Sequence, residues 1–209
     1  SATIGELNES KDGYKNLSTI PCDSIFVSGN WTPTVHLASQ SGNKLKYESE
    51  TDTFLPDQSR QKETVIGSAN GSFTLKESLA DGFNKGYQLS DEITKNGRET
   101  SVPISDEKDF GSHDKFWCMP VADNKHYKRF VDFQNDVAVS DIQLAVREGF
   151  RSIEHVKRYT TLGMATDQGK TSNLNGLQLV SDLEKKIVPE VVHTTFRPPY
   201  TSVTIGTII

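Results

Sequence analysis

The chain has 209 residues, of which 34% are hydrophobic, so its length and composition allow one or two domains with modest cores. Its formal net charge of -5 and its pI of about 5.6 argue against a nucleic-acid partner, which requires a basic face. No apolar run is long enough to span a membrane, and the N-terminal SATIGELNES lacks the basic and apolar regions of a secretory signal. We therefore expect a cytoplasmic protein with no membrane partner.

Residues 1–97 alternate short β signals with turns and end in one long helix. The β signals are ATIGEL, SIFVSG, KLKYES, TFLP and TVIGSA. From Phe73 to Tyr87 the apolar residues recur mostly every four positions, which predicts an amphipathic helix over about residues 72–93. Asn96 and the glycine after it are suited to end this helix.

Residues 98–124 are polar, contain Gly and Pro without a period, and are predicted to form a linker or surface arm. The exception is FWCMPV at 116–121, which we expect to dock onto a domain. Cys22 and Cys118 lie far apart among apolar neighbours. They are predicted to be buried, reduced thiols rather than a disulfide.

Residues 125–209 are predicted to form a helical module with an extended tail. DIQLAVREG after Ser140, IEHVKRY after Ser152 and NLNGLQLVSDLEKKI from Asn173 are the predicted helices, and Pro189 is expected to stop the last one. The tail VVHTTFRPPYTSVTIGTII is rich in β-branched residues and broken by prolines. The fold class indicated by the whole chain is a mixture of helix and strand, α+β or α/β.

A glycine-containing loop joins the TVI segment to the long predicted helix. Loops at this position in dinucleotide-binding folds present backbone N–H groups to a nucleotide, whereas in an ordinary β-to-α turn the glycines only let the chain reverse. No G-x-G-x-x-G occurs, so the chain can supply only one wall of such a pocket. The candidate residues are Gly67, Ser68, Ala69, Asn70, Gly71, Phe73 and Leu75.

A second candidate site consists of cations, hydroxyls and an amide near the C-terminus. Guanidinium forks bind phosphate bidentately, and neutral donors pair with ring carbonyls, so the set is suited to a flavin nucleotide. A solvated basic face is the alternative, above all for Lys157. Arg197 stands between Phe196 and two prolines, in a segment unusually apolar for a surface loop. The candidates are Arg158, Thr160, Thr161, Gln168, Lys170, Thr195 and Arg197.

The sequence contains no recognisable motif for a metal site or a catalytic nucleophile. None of the five histidines has a second histidine four residues away or a cysteine partner. The nucleophile elbow, the P-loop and cysteine–histidine arrangements are also missing from the sequence. Carboxylate pairs such as Asp106 and Glu107 fall in the polar linker and are expected to face solvent.

The segment from Lys128 to Asn173 resembles a small iron–sulfur module without its ligands. KRFVDFQND and HVKRYTTLGMATDQGKTSN flank two short helices. In the bacterioferritin-associated-ferredoxin-like (BFD-like) modules of amine and opine oxidoreductases, the same places carry C-x-C-E-E-V and G-M-G-P-C-Q-G-x-x-C, which hold a two-iron, two-sulfur cluster. Because oxygen and amide groups cannot replace thiolates, the resemblance implies no cluster and no tightly bound metal. The four cysteine positions fall on Asp132, Gln134, Asp167 and Ser172.

This outline, with REGFRSIEHVKRYTTLGMATDQGKTSN and TTFRPPYT, resembles the alpha subunit of heterotetrameric sarcosine oxidase over nearly the whole chain. CDSIFVSGNWTPTVHLASQS and VIGSANGSFTLKESLADG resemble the closing segments of a two-dinucleotide-binding-domain flavoprotein fold. The resemblance implies an internal piece, or a separately made part, of that subunit. Residues 1–97 would be the C-terminal part of an FAD/NAD-binding-like domain, 98–124 a linker, and 125–209 a BFD-like module.

The resemblance also implies a function. The whole enzyme would demethylate sarcosine oxidatively, giving glycine, hydrogen peroxide and 5,10-methylenetetrahydrofolate, with FAD and tetrahydrofolate held elsewhere in the complex. Flavoproteins of this fold carry an aspartate that binds FAD where this chain has Ser68, which suits a non-covalent NAD. An FMN is implied between the alpha and beta subunits, near the helical module.

In this scheme the chain is a scaffold and a wall of the NAD and FMN sites. Its partners would be the remainder of the alpha subunit, the beta subunit and the other sarcosine oxidase subunits. Two alternatives stay open at the level of the sequence. One is a subunit of a related amine or opine dehydrogenase, and the other is an interaction module without a cofactor.

Overall fold

The structure, a computed structural model, describes residues 1–26, 31–95, 101–106, 116–121, 127–191 and 194–209. It divides into two compact units, each built from segments that are distant in the sequence. Residues 1–31 with 116–192 form the first unit, and residues 32–115 with 193–209 form the second unit. The domain boundaries at 97 and 124 stay predictions.

Helices and strands are mixed, as the sequence indicates, and the strands of the described residues pair as antiparallel hairpins. In chain order the elements are β1 (Ala2–Leu7), β2 (Tyr14–Ile20), α1 (His36–Gln40), β3 (Leu45–Glu48), β4 (Thr53–Pro56), a 3-10 turn (Gly67–Asn70), α2 (Leu75–Thr94), β5 (Phe130–Asp132), β6 (Val137–Ala138), α3 (Val139–Arg147), α4 (Ile153–Thr160), α5 (Asn173–Glu184), α6 (Val188–Val191) and α7 (Ile205–Ile208). None of the described helices is long and apolar enough to cross a bilayer.

The first unit combines the β1–β2 hairpin with the β5–β6 hairpin and helices α3 to α6. Six apolar side chains of its core are at most 1% exposed, which is the burial that drives such a small unit to fold. Helix α5 can approach closely because Gly176 has no side chain, and an added Cβ there would overlap with Leu162. These six side chains are Ile142, Ala145, Ile153, Val156, Leu162 and Val180.

The FWCMPV segment docks onto the first unit, as predicted. The Tyr14 hydroxyl donates to the Pro120 carbonyl at 3.1 Å, and Arg129 Nη1 donates to the Met119 carbonyl at 2.8 Å. The same Nη1 lies 3.1 Å from Cys118 Sγ. Cys118 and Cys22 are both free thiols, as predicted, but both are half-buried rather than buried.

Helix ends in the first unit differ from the sequence prediction. Ser140 lies inside α3 and does not cap it. Asp141 Oδ2 instead accepts from the N–H of the N-cap residue Ala138 at 2.8 Å. Ser152 occupies the N-cap position of α4 as predicted but makes no capping bond with its side chain. Helix α5 ends in the left-handed Lys185, before Pro189. Pro189 lies in the first turn of α6, where its missing N–H costs nothing.

The second unit contains the β3–β4 hairpin, paired from Leu45↔Pro56 to Glu48↔Thr53, and the long helix α2, all predicted. Two predictions of extended structure are wrong. The TVIGSA segment forms no strand and ends in the 3-10 turn, and the last residues of the tail form the short helix α7. The SIFVSG strand is not formed at 24–26, while 27–30 and the predicted helix end at Asn96 lie outside the described residues.

Candidate functional site

The first candidate loop, from Gly67 to Gly71, is a tight turn whose two glycines have left-handed φ angles of 65° and 89°. Two of its N–H groups are already bonded within the chain. The Gly67 N–H donates to Asp81 Oδ2 at 2.8 Å, and the Gly71 N–H donates to the Ser68 carbonyl at 3.2 Å. The carboxylate of Asp81 behind Gly67 disfavours a phosphate there, since like charges repel.

Gly71 packs closely against β4. A Cβ at this position would lie 2.9 Å from Leu55 Cδ2, so both the φ angle and the available space require glycine. The N-terminus of α2, which follows, is closed by its own residues: Glu77 N–H donates to Thr74 Oγ1, and Thr74 N–H donates to Glu77 Oε2, both at 3.1 Å. Of the loop residues, Ser68 is exposed and free to meet a ligand from solvent.

Phe73 and Leu75 continue from this loop into α2. Phe73 is half-buried and Leu75 is exposed, and no residue of α2 is buried within the described part of the chain. The seven candidate residues of the first site thus lie in one continuous stretch of chain that leads into α2. The apolar stripe of this helix, including Leu79 and Phe83, is only half covered.

The four positions that correspond to cluster cysteines come together in the first unit. Asp132 is 3% exposed, and its Oδ1 accepts from the N–H groups of Gln134 at 2.9 Å and Asn135 at 3.2 Å. Its Oδ2 accepts from the Gly163 N–H at 2.7 Å and lies 3.4 Å from Ser172 Oγ. Hydrogen bonds accepted by Asp132 thus connect it to Gln134 and Ser172, two of the other three positions.

Gln134 and Asp167 form a second set of contacts at the surface of the same region. Gln134 Oε1 accepts from Thr166 Oγ1 at 3.0 Å and lies 3.4 Å from the Asp167 nitrogen. Asp167 in turn accepts from the Gly169 N–H at 3.0 Å and from Thr171 Oγ1 at 2.9 Å. In the part of the chain that the structure describes, no three His, Cys, Asp or Glu side chains are grouped as a metal ion would need.

Asn173, the first residue of α5, is enclosed by two glycines of the same loop. Gly163 and Gly169 have φ angles of 65° and 74°, and a Cβ on either residue would overlap with the Asn173 amide. The amide nitrogen donates to the Gln168 carbonyl at 3.2 Å. The loop between α4 and α5 is therefore held in one conformation by side-chain packing as well as by hydrogen bonds.

The first-unit members of the second candidate site lie on α4 and in the loop after it. Arg158 Nη1 is bonded within its own helix, to the Glu154 carbonyl at 2.7 Å and to Glu154 Oε2 at 3.0 Å. Thr160 Oγ1 donates to the Val156 carbonyl at 2.7 Å. Thr161 ends the helix in a left-handed conformation. Gln168 and Lys170 follow in the loop around Asp167.

Lys157 on α4 is half-buried, which does not fit the solvated basic face considered for it. Burial lowers the pKa of its ammonium group below the ordinary value of 10.5. Arg158 lowers that pKa further, while Glu154 acts in the opposite direction. The folded chain therefore holds this positive charge at a cost to stability.

This cost predicts a pH dependence. Because the folded-state pKa of Lys157 lies below its unfolded-state value, the penalty is full below the folded pKa and disappears as pH rises toward 10.5. The free energy of unfolding, from urea titrations between neutral pH and about pH 10, should exceed wild type in Lys157→Met, and the difference should shrink with rising pH. Lys15→Met, which removes an exposed lysine of the same unit, corrects for net charge. A constant difference would contradict the buried-charge explanation.

Thr195 and Arg197 belong to the second unit. Phe196 between them is half-buried against His36 of α1, with ring centroids 3.8 Å apart, and Tyr200 meets the same imidazole edge-on at 5.7 Å. Thr195 and Arg197 themselves are exposed, and the described residues give Arg197 no ion pair. The apolar character of this segment is thus explained by packing on His36, which leaves its arginine at the surface.

Sequence reasoning missed three side chains that organise these sites. Asp81 lies off the apolar stripe of α2 and had no evident role, yet it holds the Gly67 N–H. The burial of His36 under the tail and the enclosure of Asn173 by glycines also depend on contacts between distant segments. Only the enclosure of Asn173 had a local signal in the sequence, namely two glycines six residues apart, Gly163 and Gly169.

Comparison with known proteins points to one family. Residues 126–209 match the family described as the sarcosine oxidase A3 domain. The sarcosine oxidase subunit alpha of Rhizobium meliloti (strain 1021) is 38% identical over 90% of this chain and 19% of that relative. The corresponding subunit of Corynebacterium sp. (strain P-1) is 31% identical over 96% of this chain and 21% of that relative. The chain thus spans about a fifth of the length of the curated relatives it matches.

A solved structure shows a similar fold. The crystal structure of L-proline dehydrogenase from P.horikoshii matches with a TM-score of 0.58 and 20% sequence identity, over 85% of this chain and 37% of that chain. This likeness concerns the fold alone and supports the mixed arrangement of helices and strands. The resemblance predicted from the sequence is therefore confirmed: the chain is similar along most of its length to part of the sarcosine oxidase alpha subunit, and residues 126–209 match the sarcosine oxidase A3 domain family.

Proposed function

We propose that this chain is a scaffold and cofactor wall within the alpha subunit of a heterotetrameric sarcosine oxidase. The observation that carries the proposal is the 38% identity to a sarcosine oxidase subunit alpha over 90% of the chain. The complete enzyme would convert sarcosine to glycine, with formation of hydrogen peroxide and 5,10-methylenetetrahydrofolate. The beta subunit, the other subunits and the remainder of the alpha subunit would be its partners.

For NAD, the proposed wall is the loop from Gly67 to Gly71, with Phe73 and Leu75 beside it. The loop fits a neutral part of the dinucleotide, such as a ribose, better than a phosphate, because Asp81 already occupies the Gly67 N–H. Ser68 is exposed and carries a hydroxyl that can pair with a ribose hydroxyl. The other wall would come from the remainder of the alpha subunit.

Ser68→Phe should reduce the NAD content of the purified full-length subunit, because a ring at this exposed position blocks close approach without disturbing the core. This substitution tests the site better than a change at Gly71, which would strain the turn whether or not NAD binds. Ser90→Phe, at an exposed position near the far end of α2, is the matched control. Equal NAD content in both variants and in wild type would show that the loop is only a turn.

For FMN, the proposed residues fall into two sets that can be tested separately. In the first unit they are Arg158, Thr160, Thr161, Gln168 and Lys170, and in the second unit Thr195 and Arg197. Arg197 fits a phosphate best, since it is exposed and has no ion pair among the described residues, whereas Arg158 is paired with Glu154. When bound, FMN supplies electron transfer to oxygen. The chain's own part is to bind and orient the nucleotide through charge and hydroxyl donors.

The BFD-like relationship of residues 125–209 belongs to the same proposal. It is supported by the convergence of Asp132, Gln134, Asp167 and Ser172, whose oxygen and amide groups do not fit a cluster that needs thiolates. The residues present therefore do not suit a two-iron, two-sulfur group. Iron and acid-labile sulfide in stoichiometric amount after anaerobic purification would contradict this part of the proposal.

A second candidate function is a subunit of a related amine dehydrogenase that passes electrons to a carrier. It rests on the resemblance of residues 128–173 to the modules of amine and opine oxidoreductases. The deciding experiment is to purify the full-length subunit together with its partner subunits and to add sarcosine in air. Sarcosine-dependent consumption of oxygen with equivalent peroxide supports the oxidase. Reduction of an artificial electron acceptor without peroxide would favour the dehydrogenase, and no reaction with sarcosine would overturn the proposed substrate.

A further inference from the structure

A single buried carboxylate connects three separate segments of the first unit. The carboxylate oxygens of Asp132 accept hydrogen bonds from the N–H groups of Gln134 and Asn135 in the β5–β6 turn. They also accept one from the N–H of Gly163, which is 31 residues away. Oδ2 is also 3.4 Å from the hydroxyl of Ser172, 40 residues away at the start of α5. The carboxylate therefore bridges the hairpin, the loop between α4 and α5, and the N-cap residue of α5.

The strength of these bonds distinguishes the arrangement from an ordinary turn. The bonds to Gln134 and Asn135 would suffice for an aspartate that only shapes its own hairpin. The bond to Gly163, at 2.7 Å, is the shortest of the set and serves no local turn. Hydrogen bonds to a carboxylate are roughly twice as strong as neutral ones, and a buried charge that loses them is strongly disfavoured.

Two further hydrogen bonds reinforce the same junction from the surface. Asn135 Nδ2 donates to the Thr161 carbonyl at 2.8 Å, and Gln134 Oε1 accepts from Thr166 Oγ1 at 3.0 Å. The β5–β6 turn thus contacts both the beginning and the middle of the loop between α4 and α5. Asp132 is the one member of this junction that is both charged and buried, at 3% exposure.

We propose that Asp132 is a positioning residue whose carboxylate serves as the internal anion around which the loop from Thr161 to Ser172 is organised. Because the loop carries Gln168 and Lys170, Asp132 would determine the positions of these two residues. That consequence for FMN rests on the function proposed above, whereas the organisation of the loop does not. The chemistry resembles the capture of an external anion by converging backbone N–H groups, with the anion here supplied by the chain itself.

Asp132→Asn tests the proposal in the full 209-residue chain. The amide keeps the shape of the side chain but has one accepting oxygen, and its NH2 group faces N–H donors. We expect the Gly163 amide to exchange with deuterium at least about tenfold faster than in wild type, which corresponds to about 1.4 kcal/mol of local opening. Amides in the core of α3 should change much less. Asp136→Asn removes the same charge from the exposed end of the same hairpin and should leave Gly163 unchanged.

Two results would overturn the inference. One is unchanged exchange at Gly163 in Asp132→Asn, and the other is a Gly163 amide in the wild-type chain that exchanges as fast as an unstructured peptide. The second measurement decides the matter even if the variant fails to fold.

The FMN content of the assembled enzyme separates this inference from the proposed function. Faster exchange at Gly163 together with loss of FMN supports both. Faster exchange with full FMN content leaves Asp132 as the organiser of the loop and shows that FMN is not held by Gln168 and Lys170.

Discussion

Under the function proposed above, Arg197→Ala should remove FMN from the assembled enzyme while the FAD held elsewhere in the complex is still reduced by sarcosine. Loss of a charge-assisted donor to a desolvated phosphate costs about 2 to 5 kcal/mol, which is enough to lose the nucleotide during purification. Peroxide production should fall with FMN content. The measurements are FMN released by heat denaturation, peroxide formed in air, and anaerobic bleaching of the remaining flavin by sarcosine.

Two further variants sharpen this experiment. Arg197→Lys should restore only part of the FMN content, because an ammonium group cannot form the bidentate fork of a guanidinium. Arg60→Ala removes an exposed arginine from the same unit and should keep both FMN and peroxide production. Full FMN content in Arg197→Ala would show that the tail is structural, with Phe196 packed on His36 as its only role.

Gly169→Ala should destabilise the first unit more than any other single methyl addition to the loop between α4 and α5. The residue has a φ of 74°, which costs a non-glycine residue about 1 to 3 kcal/mol. The added Cβ would also overlap with the Asn173 amide, and such overpacking costs about 1 to 3 kcal/mol more. Urea unfolding followed by circular dichroism measures the total loss.

Gly149→Ala provides the matched control for this prediction. Gly149 has a φ of 96°, but no atom lies within 4 Å of an added Cβ, so its substitution carries the backbone cost alone. The double variant Gly169→Ala with Asn173→Ala removes the overlap and should recover part of the loss. Equal destabilisation by Gly149→Ala and Gly169→Ala would contradict the enclosure of Asn173 by glycines.

Local pattern was sufficient for much of the secondary structure. The four-residue period from Phe73 to Tyr87 predicted α2, and the helices α3, α4 and α5 follow from short amphipathic runs. The β3–β4 hairpin follows from two short β signals around a turn. The errors are of two kinds: the polar β2 gave no β signal and was not predicted, and α7 formed against the β preference of its β-branched residues.

For the candidate sites, the sequence determined less and the tertiary structure determined more. The sequence by itself determined the family resemblance and the absence of thiolates at Asp132, Gln134, Asp167 and Ser172, because residue identity alone decides whether a cluster can be ligated. Only the tertiary structure decided that Asp132 holds Gly163, that Lys157 is half-buried, and that Phe196 covers His36. These features depend on hydrogen bonds, desolvation and ring contacts between segments far apart in the chain, and no local period or capping signal encodes such distances.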